Sequence, residues 1–387
     1  MHTITMSGRP CQLFLRVLNF RNNMNLTKAF LPFLFVIILG IGCLASDSFE
    51  PSYAKAKVLS TSTTSQDSQQ VTVKVLSGKF KNKIIAIEHL PSSGMMGANM
   101  FLKAGDKVML YVDENPSEAE SPDGRPLFNI ADYSRSSPLY WLAFFYALLL
   151  IVIGGLKGIR ALISLVITIA LIFLVLFPLT LWGFNPLLVA IMISGIVSLI
   201  SFRIIGGKII KSVSAAIGTL AGVAMAGLIA FLVGKMIHLT GLSSEESRIL
   251  LYSMELKINY QGLLFGSILI GALGAVMDVG MSIASTIDEV SKVHPEANFK
   301  NLYKAGMNVG RDVMGTMSNT LILAYTGSSL PLLLLMVANN VSFAKMINLE
   351  MIAAEIVRAL AGSIGLVLCI PITATVAALL HHKKGGT

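Results

Sequence analysis

The chain has 387 residues, 54% of them hydrophobic and 13% charged, with a formal net charge of +9. So apolar a composition excludes an ordinary soluble domain and points to several membrane-crossing helices. No Walker loop, HExxH, GxSxG or dinucleotide fingerprint occurs in it, so an ATP-driven pump or a soluble-type enzyme finds no support.

A helix needs about 20 apolar residues to cross a hydrocarbon core roughly 30 Å thick. On that scale the sequence predicts spans at 30–46, 139–156, 161–182, 186–204, 213–234, 261–285, 311–338 and 352–380. The expected fold is a polytopic α-helical membrane protein of about eight spans, with a small extracytoplasmic β-barrel-like domain between the first and second. Three segments follow: a basic N-terminus with the first span (1–54), a β-rich domain (55–135) and a helical membrane domain (136–387).

The first apolar stretch, Phe30 to Leu44, follows Arg9, Arg16, Arg21 and Lys28, and reads either as an uncleaved anchor or as a cleavable signal peptide. Cys43 resembles a lipoprotein cysteine, but Gly40 stands where that motif wants a large aliphatic residue, and Met24 is an alternative start. Cys11, Cys43 and Cys369 offer no pairing pattern.

Beyond it, STSTTSQDSQQ at 60–70 reads as a linker or mobile loop. Alternating runs from Val71, Asn82 and Gly105 then read as strands between turn signals. They predict a small SH3-like or OB-like barrel outside the cytoplasm. With only Phe80, Phe101 and Tyr111 near its strands, it suits an envelope partner better than a nucleic acid.

Cations collect in alternate loops: Lys157 and Arg160; Arg203, Lys208 and Lys211; Lys292, Lys300, Lys304 and Arg311; Lys383 and Lys384. The positive-inside rule puts these loops, and both termini if the first span is uncleaved, in the cytoplasm of a bacterial cell. Topology and attraction to the anionic lipid bilayer account for the net charge, and no nucleic-acid partner is needed.

The sixth predicted span carries the first functional suspect. Its glycine-notched run GLLFGSILIGALGAVMDV starts at Gly262 and holds Asp278 well away from either end. A charge at a span centre costs at least about 2.5 to 3.5 kcal/mol. Gly262, Gly266, Gly274, Asp278 and Ser282 recur at four-residue steps, with Ile270 between, forming one narrow stripe. In the seventh span Asp312, Gly315, Thr316, Asn319, Leu323 and Thr326 fall near one face. Asn319 would need a partner inside hydrocarbon, and Asp278 is the natural one. Asp278, Asn319, Asp312 and Ser282 are the pathway candidates, and Gly262, Gly266, Gly274 and Gly315 the expected helix-packing positions. Glu355 and Arg358 predict an i,i+3 ion pair.

Two local expectations complete the reading. The SKVHPEANFKNLYKAGMNVG segment predicts a surface helix beginning near Pro295, and YTGSSLP (Tyr325 to Pro331) predicts a kink in one span rather than a turn between two. No metal or other cofactor is expected, because His294 has no second ligand at metal spacing.

The runs GALGAVMDVGMSIASTIDEV (Gly271 to Val290) and AGMNVGRDVMGTMSNTLILAYTGSSLP (Ala305 to Pro331) resemble the YibE/F family of bacterial membrane proteins, over about 138–380. The resemblance implies a multi-pass protein, with a second YibE/F-like subunit or a homo-oligomer as a partner, and carries over no catalytic residue. More loosely, the order of helix, outer domain and bundle with a buried Asp is similar to the SecD/SecF and RND transporters. Three functions stay open: a permease or proton-coupled export component titrating Asp278, a non-transporting envelope scaffold or sensor, and an intramembrane aspartyl protease needing Asp278 to face Asp312. The protease reading lacks the GxGD motif.

Overall fold

The computed structural model describes residues 52–65, 68–90, 100–114, 116, 126–207 and 209–385. The predicted span at 30–46, Cys11 and Cys43 lie outside the described residues. The chain divides into two compact units, Met1–Val152 and Ile153–Thr387.

The first unit contains five antiparallel strands: β1 Ser52–Ser65, β2 Ser68–Val75, β3 Ile84–His89, β4 Lys107–Asp113 and β5 Leu127–Tyr133. Their order is β3-β2-β1-β4-β5, and the edge strands β3 and β5 approach one another, so the sheet curls into a half-barrel. Period-two alternation turns Ala54, Ala56, Val58, Val71, Val73, Val75, Val108, Leu110 and Val112 into one core. Loop residues seal its open side. Gln69 accepts from the Leu102 N–H at 2.9 Å, and the His89 ring lies 2.9 Å from the Met100 carbonyl.

The predicted strands at Val71, Asn82 and Gly105 correspond to β2, β3 and β4. Of the polar stretch at 60–70, expected as a linker or mobile loop, residues 60–65 and 68–70 instead pair as the end of the β1–β2 hairpin, with Thr61 opposite Val71 and Ser65 opposite Ser68. Thr is a good strand former, and pairing with a strongly alternating β2 overrides the compositional signal.

Helix α1 runs Ser136–Leu171, with Gly155 at φ 52°, ψ −132° inside it. A short π-helical turn, Ile172–Leu176, joins it to α2, Phe177–Leu181. The spans expected at 139–156 and 161–182 lie on either side of the break at Gly155, within the 46-residue apolar run Ser136–Leu181. It is interrupted only at Gly155, where a left-handed φ costs glycine least.

In the second unit follow α3 Pro186–Gly206, α4 Ile209–Met236, α5 Glu245–Tyr252, α6 Tyr260–Val293, α7 Phe299–Ser328, α8 Leu330–Ala338, α9 Phe343–Ile347 and α10 Glu350–Gly385. Asn185, Asn259 and Asn298 cap α3, α6 and α7 with their side chains, satisfying N–H groups that the helices leave free. Among the described residues five helices are long and apolar enough to cross a membrane, or six if α7 and α8, bent by 58°, form one broken span. The break falls at Ser329, inside YTGSSLP, where the kink was expected.

The separate surface helix expected near Pro295 does not occur. Residues from Phe299 onward are the first turns of α7, whose Leu302, Gly306 and Gly310 are buried in the bundle. These positions recur at four-residue steps, so one helix carries them continuously against α6.

Close helix approach builds the core of this unit. Along α4, a β-carbon on Gly222 would stand 2.8 Å from Cys369 Cβ and 2.8 Å from the Gly365 carbonyl oxygen, and one on Gly227 would stand 2.9 Å from Leu269. Gly218 meets Thr373 in the same seam. Small residues let α4 approach α6 and α10 closely enough for dispersion and packing to hold helices together in lipid. On the other flank, Ser164 donates to Ser201 at 2.6 Å between α1 and α3.

Candidate functional site

Asp278 lies near the midpoint of α6 on its free side. The exposed residues of α6 include Ser267, Gly271, Gly274, Asp278 and Ser282, one stripe by helical geometry. Ala272, Val276, Val279 and Ile283 point into the bundle instead. The predicted stripe is real only in part. A β-carbon on Gly262 would stand 2.9 Å from the Asn185 side-chain oxygen, and one on Gly266 would stand 3.1 Å from the Pro186 carbonyl oxygen. Those two glycines let α3 approach. Gly274 has nothing within 4 Å.

On α7 the buried residues are Leu302, Gly306, Gly310 and Leu321. Asp312, Gly315, Thr316, Asn319, Leu323 and Thr326 are all exposed, on the opposite side of the helix. Gly315, like Gly274, has nothing within 4 Å of a β-carbon. The polar ladder exists, but it faces away from the bundle.

The relative level of the two helices follows from their contacts. Gly306 meets Ile287 and Ile283, Gly310 meets Ile283, and Gly271 meets the Tyr325 hydroxyl. Interpolation along antiparallel helices puts Asp278 level with Gly315, and Gly274 level with Asn319, to within about one turn.

Four hydroxyls near Asp278 and Asn319 bond within their own helices. Ser282 donates to the Asp278 carbonyl at 2.8 Å and Thr286 to the Ser282 carbonyl at 3.0 Å. Thr316 donates to Val313 at 3.0 Å and Thr320 to Thr316 at 2.9 Å. Among the described residues, the Asp278 carboxylate and the Asn319 amide make no hydrogen bond or ion pair. The expected Asp278 to Asn319 contact is not formed within one chain, and neither is a facing Asp278 and Asp312 pair.

The ion pair expected on the last span is present in α10, with Arg358 3.6 Å from Glu355. Its guanidinium also lies 5.9 Å from the Tyr325 ring centre, which couples α10 to α7.

A family model of YibE/F-like proteins matches residues 142–383. The chain belongs to the YibE/F-like family. The match contains both α6 and α7, so the free face just described lies within the part of the chain that defines a YibE/F-like protein. No curated protein and no solved structure matches the chain.

Two clusters in this YibE/F-like bundle escaped sequence reasoning. At the far end of α6, Asp288 is 4% exposed, with Lys292 Nζ at 2.9 Å and His381 Nε2 at 3.9 Å. Ser291 Oγ lies 3.1 Å from the other His381 ring nitrogen. Glu350, at the start of α10, accepts from the Thr240 N–H at 2.7 Å and from its hydroxyl at 2.8 Å. Asp288 reaches a partner on another helix and Glu350 one in the loop after α4, about 90 and 110 residues away in sequence, so no local pattern could have paired them. Among the described residues no group of three or more His, Cys, Asp or Glu side chains is placed to hold a metal.

Proposed function

We propose that this YibE/F-like protein is the membrane subunit of a proton-coupled permease or exporter, with Asp278 as the group that takes up and releases the proton. The observation that carries this reading is a carboxylate at the middle of an apolar helix, with no partner among the described residues and an open glycine one turn away. Intramembrane carboxylates are rare because they are costly, and proton relays are a standing reason for keeping one. A purely structural Asp would be expected to tie its helix to a neighbour. Here the side chain is turned from α3, α4 and α10, so helix tying within the chain has no support.

The polar face of α7 supplies a route past this point. Asn319 and Gly315 lie at the same level, with Asp312 about one turn beyond. In this reading the half-barrel stands outside the cytoplasm, where β-rich edges can meet an envelope partner, and the chain works as a carrier rather than an enzyme.

Carbodiimide labelling of the purified protein across pH, with the modified carboxyl located by mass spectrometry, tests the proposal. Labelling of Asp278 that titrates, together with loss of proton uptake in proteoliposomes on Asp278→Asn, is the expected result. An Asp278→Asn variant with unchanged proton flux overturns it.

A further inference from the structure

We propose that the free face of α6 and α7 is covered by the same face of a second copy of this chain, with Asp278 of each copy accepting hydrogen bonds from the side-chain amide of Asn319 of the other. The inference rests on the reading of Asp278 as a group at membrane depth, and adds what surrounds it. Lipid tails cannot satisfy a carboxylate or an amide, so a face that carries both within crossing helices is not a finished lipid surface.

Three observations select a second copy as the occupant. First, the unsatisfied groups on the face are complementary: Asp278 offers only acceptors when ionised, and Asn319 offers two N–H donors. The hydroxyls around them already bond to their own helices. Second, the groups lie at matching levels. A twofold axis along the membrane normal keeps every residue at its own depth, so an isologous interface brings α6 of one copy beside α7 of the other with Asp278 and Asn319 within about one turn. Within one chain they cannot meet in this way, because Asn319 points away from α6. Third, the face is notched where helices would cross. Gly274 and Gly315 stand at these levels, with nothing among the described residues within 4 Å of a β-carbon. The apolar stretch Phe30 to Leu44 offers no side-chain amide or hydroxyl that could answer Asp278.

The two open glycines also make the test clean. A β-carbon at Gly274 or Gly315 meets nothing among the described residues, so Gly274→Leu and Gly315→Leu are expected to leave the fold of the single chain intact. Two differently tagged full-length versions are co-expressed with Cys11 and Cys43 replaced by Ala, one bearing Gly274→Cys and the other Asn319→Cys. Cys369, fully buried, is retained. Mild oxidation in the membrane is expected to give a disulfide-linked pair carrying both tags. A control pair on other exposed flanks, Leu199→Cys with Leu228→Cys, is expected to give none. Adding Gly315→Leu to both copies should reduce the linked fraction at least about tenfold, since close approach is what such crossings require, while helicity by circular dichroism stays unchanged.

Absence of the two-tag product, equal linking in the control pair, or linking that survives Gly315→Leu each overturns the second-copy interface. The proton reading is scored separately. Asp278→Asn still offers an acceptor to Asn319 and should keep the linked pair while losing proton uptake. Failed linking alongside lost proton uptake removes this inference alone.

Discussion

Two sets of glycines in the helical unit behave in opposite ways. Along the α4 seam, Gly218, Gly222 and Gly227 face α6 and α10 so closely that a β-carbon would collide. On the free faces of α6 and α7, Gly274 and Gly315 are the same residue type, but nothing among the described residues lies within 4 Å of a β-carbon there. The difference teaches that a small-residue stripe records where a backbone can be approached, and only the packing tells whether the approaching helix belongs to the same chain.

Substitutions can break this comparison, and the largest effect belongs to the seam. Gly222→Leu forces a branched side chain against Cys369 and the Gly365 carbonyl, an overpacking expected to cost about 3 kcal/mol or more and visible as a collapse of detergent-solubilised thermal stability. By contrast, Gly274→Leu should shift the melting temperature of the single chain by less than a tenth of that loss. An equal loss at both positions would end the distinction.

A smaller effect is expected at the loop that ties α4 to the start of α10. Glu350→Ala leaves the Thr240 N–H and hydroxyl without the carboxylate they now share, a cost of about 1 to 3 kcal/mol, read as faster hydrogen exchange at Thr240 and Gly241. Ser164→Ala removes the 2.6 Å hydrogen bond to Ser201 and should cost about 1 kcal/mol, seen in the same melting assay.

The smallest effect lies in the half-barrel and depends on pH. The Arg135 guanidinium 2.5 Å away and the Tyr133 N–H hold the Asp132 carboxyl below the usual carboxylate range. A depressed folded value contributes stability above the unfolded value of about 3.9, and that contribution is lost as pH falls through the folded value. Asp132→Asn should therefore speed exchange of β5 amides slightly at neutral pH and make no difference in strong acid. The pair is largely exposed, so the effect stays small.

Much of the fold was legible in the sequence. Apolar run length located α3, α4, α6 and α10 to within a few residues, except where α6 continues to Val293, because hydrocarbon thickness sets a minimum that composition must meet. Alternation located β2, β3 and β4. The second half of β1 was hidden because its Ser and Thr residues give no hydrophobic period, and it exists through pairing with β2.

For the candidate site, the sequence by itself determined that a carboxylate stands in the middle of an apolar, glycine-notched helix and that a polar ladder runs along the next one. Both follow from residue type and a period of 3.6, which need no partner to be read. Only the tertiary structure decided that Asp278 and Asn319 do not meet within the chain, that Gly262 and Gly266 are filled while Gly274 and Gly315 are open, and that Asp288 meets His381. Those are questions of which helix face turns inward, and a helix face is chosen by the neighbours it packs against rather than by its own sequence.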